Sequence, residues 1–276
     1  MYASLDLHKR YSEAVVMDED GVVLREERIE NDPRVVEEFS NSLPNATDVV
    51  TESSSAWYWV YQILVKKHRV VLSNQVKTKV IASAKVKSDH IDALTLANFL
   101  RGGYIAECYI PPKHIMELRD LVRYRANLVR MRSNIKNRIH AYLLMNNIKI
   151  EATSFSRQFL EEVRKIDDMR VQGYFRIIDS INDEIREASS LICSEAMNNE
   201  QARLLMTMPG ISFYSALLIV SEIGDVNRFP DSYHLVAYAG LAPSTHSPGG
   251  RTYHGRITKM GSPHSLKMDT EPMCEI

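Results

Sequence analysis

Apolar positions fall into short blocks at the start of the chain. Residues 2–7 form one, residues 12–18 a second with Ala14, Val15, Val16 and Met17, and after the turn DEDG residues 22–29 form a third. Short apolar runs bounded by turn residues predict strands, and three in succession form a meander. Asn31-Asp32-Pro33 then opens a helix with Val35, Val36 and Phe39 on one face. DVVTE (48–52) is a strand that ends in a glutamate, AWYWVYQILVKK (56–67) an apolar helix and RVVLS (69–73) another strand, while 75–84 and 88–101 carry helical spacing. The order β-β-β-α-β-α-β-α predicts an α/β domain, a mixed sheet with helices on its faces. It is the order of a ribonuclease-H-like fold.

Pro111-Pro112 closes that block. Residues 113–148 carry one long helical stripe through Leu118, Leu121, Val122, Leu128, Val129, Ile135, Ile139, Tyr142 and Leu143. Arg119, Arg123, Arg125, Arg130, Arg132, Lys136 and Arg138 occupy its other faces. Residues 155–200 give a second helical region, so the pair predicts either an antiparallel coiled-coil arm or a plain helical hairpin. LLMTMPGISFYSALLIVSEIGDVNRF (204–229) reads as helix, Pro209-Gly210 turn, helix. It resembles a helix-hairpin-helix, which offers backbone N–H groups near Gly210 to a phosphate, although Ser212 stands where a second glycine is usual. Residues 237–261 are irregular and rich in Gly, Ser and Thr. The expected layout is a catalytic domain over 1–110, a basic helical region over 111–200, a small helical C-terminal domain over 201–262 and a disordered tail over 263–276.

Charge changes this picture. The net charge is −1, but residues 1–60 sum to −8, residues 61–150 to +12, residues 151–205 to −4 and residues 206–276 to −1. A block of +12 inside a neutral chain is the electrostatic footprint of a polyanion partner. The cysteines, Cys108, Cys193 and Cys274, are far apart and show no metal-ligand spacing, which suits a reducing compartment. The first residues lack the apolar core of a signal peptide, and no run reaches the roughly 18 apolar residues of a membrane span. A cytoplasmic protein is expected.

KVKSDHIDAL (85–94) raises a chemical question. Asp89 and Asp92 stand three apart at a helix start, beside Lys85 and Lys87. Acidic residues suit the positive end of a helix dipole, which explains them without any site. A metal site is the other reading. Phosphodiester cleavage needs carboxylates from the ends of adjacent elements to hold Mg²⁺, and Asp6 and Glu52 stand at predicted strand ends. His234, His246, His254 and His264 lack zinc spacing. Trp57 and Trp59, followed by Val60, Ile63 and Leu64, read as core residues.

SLDLHKRYSEAVV, TESSSAWYWVYQIL, KVKSDHIDALTLANFL and MPGISFYSALLIVSEIG…YAGLAPS…GRTYHGRITKMGS together resemble the DEDD transposases of the insertion-sequence one-ten family, relatives of DNA invertases. The blocks occur in that family's order over about residues 2–262. The resemblance implies a RuvC-like domain, a coiled coil and a small transposase domain. It implies that Asp6, Glu52, Asp89 and Asp92 are the DEDD acids and bind Mg²⁺, and that a C-terminal serine forms a phosphoserine link to DNA. It further implies a structured guide RNA and a dimer or tetramer. Lys85, Lys87, Arg119, Arg123, Arg130, Lys136, Gly210, Arg251, Arg256 and Lys259 are the candidate nucleic-acid contacts.

Two departures stand out. Counting back from Tyr253-His254-Gly255, Pro248 occupies the slot that holds serine in relatives, so the candidate nucleophile is Ser247, with Ser244 as the fallback. After Gly261 the family continues into an apolar helix, whereas SPHSLKMDTEPMCEI is polar. Rival readings are a junction-resolving nuclease without strand transfer and a decayed product that only binds nucleic acid. A sugar-kinase or actin-like ATPase would need phosphate-loop glycines, and residues 1–20 have none.

Overall fold

A computed structural model describes residues 1–75, 77–78, 89–246, 253–258 and 261, without the side chains of residues 89, 90, 245, 246, 253 and 254. The chain divides into two compact units, Met1–Ile110 and Pro111–Ile276.

In the first unit, β1 (Tyr2–Leu7), β2 (Tyr11–Met17), β3 (Val23–Glu30), β4 (Asp48–Glu52) and β5 (Arg69–Ser73) build one sheet of order β3-β2-β1-β4-β5. The meander β1-β2-β3 is antiparallel, as its short turns require. β4 and β5 add in parallel on the other side of β1. Parallel neighbours need crossovers, and helices supply them: α1 (Pro33–Ser42) before β4 and α2 (Trp57–Leu64) before β5. Asp32 opens α1 by accepting a hydrogen bond from Arg34 N at 2.8 Å, with Pro33 at the first helical position.

Both faces of the sheet are covered. Ala3, Leu5, Leu7, Ala14, Val16 and Val49 pack with Val36, Phe39, Val60 and Leu64 of α1 and α2, and Trp57 and Trp59 flank this core as expected. On the opposite face Val15, Met17, Val50 and Val71 meet Ala93, Leu96, Ala97 and Leu100 of α3 (Asp89–Arg101). The helix expected over 75–84 lies mostly outside the described residues.

The second unit is built on α4 (Lys113–Met145) and α6 (Met169–Asn198), which run antiparallel. Val122 meets Ile192 and Ala196, Leu128 and Val129 meet Ile181 and Ile185, and Ile139 and Leu143 meet Val171, Phe175 and Ile178. α4 stops at Met145 rather than at 148, because Asn147 takes φ 51°, a left-handed angle that asparagine tolerates at a helix end. The second helical region is likewise two helices, α5 (Arg157–Val163) and α6, separated at 164–168. Asp168 starts α6 afresh by accepting from Arg170 N and Val171 N. α7 (Glu200–Met206) and α8 (Phe213–Ile223) close the near end, where Ala202, Tyr214, Ala216, Leu217, Leu218 and Val220 pack on Val122 and Ile192. α9 (Ser232–Tyr238) and the antiparallel ribbon of β6 (Pro243–His246) and β7 (Tyr253–Ile257) follow. Among the described residues no helix is long and apolar enough to cross a membrane.

Candidate active site

Side chains level with one another on paired strands share a face of the sheet, and neighbouring strands lie about 4.8 Å apart. Asp6 is level with Glu13 on β2, and Glu13 with Arg28 on β3. β1 and β4 are in register as far as Leu5 and Thr51, so Asp6 and Glu52 are level one residue further on. Glu52 is in turn level with Ser73 on β5. The row Arg28, Glu13, Asp6, Glu52, Ser73 crosses the whole sheet.

Three of its members are carboxylates, and like charges at this spacing repel. The local structure answers part of that repulsion. Arg28 Nε and Nη2 lie 2.7 and 2.6 Å from Glu13 Oε1. Gln75 Nε2 donates to Glu52 Oε2 at 2.6 Å. His8 Nε2 lies 3.1 Å from Asp6 Oδ2. Asp6 is only 9% exposed, so its carboxylate is held largely away from water, next to another carboxylate.

α3 reaches the same place. Ser4 Oγ donates to Ala93 O at 2.7 Å, and Arg101, at the other end of the helix, lies against Gly21 in the turn after β2. That turn is at the start of β1, because Tyr2 is paired with Met17. α3 therefore runs from the end of β1 back towards its beginning, and its first turn, with Asp89 and Asp92, stands at the end of the sheet that carries Asp6 and Glu52. Asp92 is exposed, and the side chain of Asp89 lies outside the described residues. Among the described residues no group of three or more His, Cys, Asp or Glu side chains is arranged to hold a metal ion.

The cations of α4 divide into two sets. Arg119 and Arg123, expected to face phosphates, direct their donors inward. Arg119 Nε and Nη2 donate to Ser221 O at 3.0 and 2.9 Å, and Arg123 forks onto Glu222. The reason is Glu222 itself, which is 3% exposed and needs a partner charge wherever it is buried. Arg125 donates to Ser189 Oγ at 2.8 Å, and Arg132 to Asn182 Oδ1 at 3.2 Å. Lys136 lies over the Phe155 ring, 4.7 Å from its centroid. Arg130 and Arg138 are exposed. Lys85, Lys87, Arg251 and Lys259 lie outside the described residues.

Gly210 is exposed at φ 88°, at the turn between α7 and α8. Ser212 caps α8, its hydroxyl accepting from Ser215 N at 3.4 Å, so the position where a second glycine is usual serves as a helix cap. Ser247 lies outside the described residues. The fallback, Ser244, donates its hydroxyl to Arg256 O at 3.1 Å within the β6–β7 ribbon, and Arg256 is exposed. Gly255 is the reason that serine fits: a Cβ there would collide with Ser244 Oγ.

Reading the sequence alone passes over His8, Glu13 and Arg28. His8 had a signal, since it lies two residues beyond Asp6 and strand alternation puts both on one side. Glu13 and Arg28 come into the row only through the strand register.

A mixed sheet of this order, with an acid pair level at the ends of its central parallel strands, is consistent with the ribonuclease-H-like class of nucleic-acid enzymes. This chain belongs to the IS110 family of DEDD transposases: the family model for DEDD transposases of the IS110 type matches residues 3–147, and that for the transposases of the IS116/IS110/IS902 family matches residues 202–268. It is similar to the putative transposase y4qE of Sinorhizobium fredii, 24% identical over 64% of this chain and 45% of that protein. The transposase for insertion sequence element IS1111A of Coxiella burnetii is 21% identical over 94% of this chain and 72% of its own length. The pilin gene-inverting protein of Moraxella bovis is 25% identical over 70% and 55% respectively. The chain thus spans under half the length of the first of these relatives and a little over half that of the third.

Proposed function

We propose that the chain is the transposase of an insertion sequence, cutting and rejoining DNA strands with a divalent cation, Mg²⁺, at Asp6, Glu52, Asp89 and Asp92. The observation that carries this reading is the level placement of Asp6 and Glu52 with the first turn of α3 at the same end of the sheet. The donor set fits a hard cation, which takes carboxylate oxygens. A largely buried Asp6 beside Glu13 and Glu52 is also the kind of placement that a cation relieves. When bound, such a cation would polarise a scissile phosphate and acidify the attacking hydroxyl or water. Asp6 and Glu52 would hold it on the rigid sheet, and Asp89 and Asp92 would complete its ligands from the helix.

For strand joining, the reading takes Ser247 as nucleophile. Its Oγ forms a bond to a DNA phosphorus and gives its proton to solvent, while the bond to the sugar oxygen breaks and that oxygen takes up a proton. Joining follows when the hydroxyl of another strand attacks the same phosphorus, loses its proton, and the serine oxygen leaves and is protonated again. DNA and a structured guide RNA are the inferred partners, met by Arg130, Arg138, Arg256 and the turn at Gly210, and the working species is inferred to be a dimer or tetramer. Nuclease action without strand transfer is the second reading. It is favoured by Pro248 in the serine slot and by the engagement of Ser244 within the ribbon.

The test is a cleavage and strand-joining assay on the element's own ends with its flanking RNA. Asp6→Asn and Glu52→Gln should remove cleavage while a gel-shift assay finds DNA still bound. Cleavage at the parent rate by both variants overturns the reading. Cleavage without any protein–DNA adduct selects the nuclease.

A further inference from the structure

His8 Nε2 lies 3.1 Å from the Asp6 carboxylate, and His8 is not one of the DEDD acids. β1 ends at Leu7, and alternation sets Asp6 and His8 on one side of the chain. The backbone of His8 is fixed from two directions: its N–H donates to Tyr11 O at 3.0 Å, and Asn31 Nδ2 donates to His8 O at 2.6 Å. Asn31 follows β3, so the far end of the meander pins the turn that leaves Asp6.

The ring has a neighbour of its own. It packs against Tyr11 with centroids 4.9 Å apart. Tyr11 lies beneath the Arg28 guanidinium, whose carbon is 4.1 Å from the ring centroid. Arg28 pairs with Glu13, and Glu13 is level with Asp6. Contacts thus lead from Asp6 through His8, Tyr11 and Arg28 to Glu13, whose strand position is level with Asp6. The arginine neutralises the neighbouring acid, and the histidine stands 3.1 Å from Oδ2.

We propose that His8 is the positioning residue of Asp6: its Nε2, 3.1 Å from Oδ2, restrains by proximity and charge the rotation of the carboxylate that would hold the cation. The proposal rests on the reading of Asp6 as a cation ligand. Groups that orient a metal-binding carboxylate in this way typically contribute about 10–100-fold in metal affinity or activity. A carboxylate free to rotate loses that advantage without losing its charge.

The test titrates Mg²⁺ alone, followed by calorimetry, into the full chain and into His8→Ala, His8→Gln and Asp6→Asn. Melting curves without metal check that each variant folds. His8→Ala should weaken Mg²⁺ binding about tenfold or more. His8→Gln, which returns a nitrogen donor of similar reach, should recover most of it. In the cleavage assay kcat should fall with the KM for DNA unchanged. If both His8 variants bind Mg²⁺ as tightly as the parent while Asp6→Asn does not, His8 is only a turn residue and the proposal is overturned. If Asp6→Asn itself binds Mg²⁺ like the parent, the cation reading of Asp6 fails first and takes the proposal with it. Should His8→Ala fail to fold, His8→Gln decides through the same titration beside Tyr11→Leu, which removes the ring that braces His8. Weakened binding in Tyr11→Leu with near-parent binding in His8→Gln supports the proposal. Parent-like binding in both overturns it.

Discussion

Arg123 lays its guanidinium fork across the Glu222 carboxylate, Nε to Oε1 at 2.8 Å and Nη2 to Oε2 at 2.9 Å. Around this pair Arg119 takes up the carbonyls of Ser221 and Glu222, Arg228 that of Ile223, and the Tyr238 hydroxyl donates to Glu222 O. The last turn of α8, where carbonyls lack helical partners, is therefore satisfied by side chains from α4 and from beyond α8.

The first prediction follows from the burial of Glu222. Glu222→Ala should destabilise the second unit by about 2–4 kcal/mol, because it leaves two guanidiniums without their shared partner; the lower part of that range allows for the partial exposure of Arg123. Arg123→Met combined with Glu222→Leu should cost less than the two single changes added together. Urea unfolding of the parent, the three single variants and the double variant measures this. A Glu222→Ala protein as stable as the parent would refute it.

The second prediction separates binding from folding. Arg130→Ala and Arg138→Ala should leave the melting temperature nearly unchanged, since both side chains are exposed. Each should reduce the dependence of log K on log salt by about one unit for a lost DNA phosphate contact, less for a single strand. Arg123→Ala would confuse the two effects through its tie to Glu222. Binding isotherms at several salt concentrations decide, and an unaltered slope in the Arg130, Arg138 double variant would remove α4 from the interface.

A third concerns Gly255. Its absent Cβ leaves room for Ser244 Oγ, so Gly255→Ala should open the β6–β7 ribbon and speed hydrogen exchange of its amides. Ser244→Ala in the same chain should restore protection, because the Cβ of residue 244 lies at an ordinary 3.7 Å. Failure of the second change to rescue the first would place the strain elsewhere.

How much of this was legible in the chain differs from element to element. The strands of the meander and the α4 stripe were, because apolar spacing there is set by the layers they pack between. Asp6 and Glu52 were too, as acids at strand ends. The break at 164–168 was not, since Val163 and Ile166 continue the apolar pattern across it and only the Asp168 cap marks the stop. The inward turn of Arg119 and Arg123 was also hidden. They lie four apart on one face of α4, as solvated arginines would, and their partner is about 100 residues away.

A fourth prediction is a pH dependence. The Arg170 guanidinium, hydrogen-bonded to Asp168, holds that carboxyl well below the usual aspartate range; partial burial opposes the shift, and the N–H groups of Arg170 and Val171 and the Tyr142 hydroxyl add to it. A carboxylate whose pKa is lower folded than unfolded contributes stability that is fully present above the unfolded value, about 3.9, and is lost as pH falls below it. Asp168→Asn should keep the helix cap but flatten the loss of stability on acidification below about pH 4. Thermal melts between neutral and acid pH check this, and an acid limb as steep as the parent's would contradict it.

β1 is buried along nearly its whole length, with apolar residues on one face and Ser4 and Asp6 on the other. In a strand hidden on both sides, burial alone does little to forbid a slide by one position. Here the polar side chains act as the key: slipped once, Ser4 would lose Ala93 O and Asp6 would be driven among Leu5's former neighbours beneath α1 and α2. The residue proposed to equip the sheet for chemistry is thus also the one that rejects a misaligned copy of it, so a chain carrying Asp6→Leu should tolerate misthreading that the parent cannot.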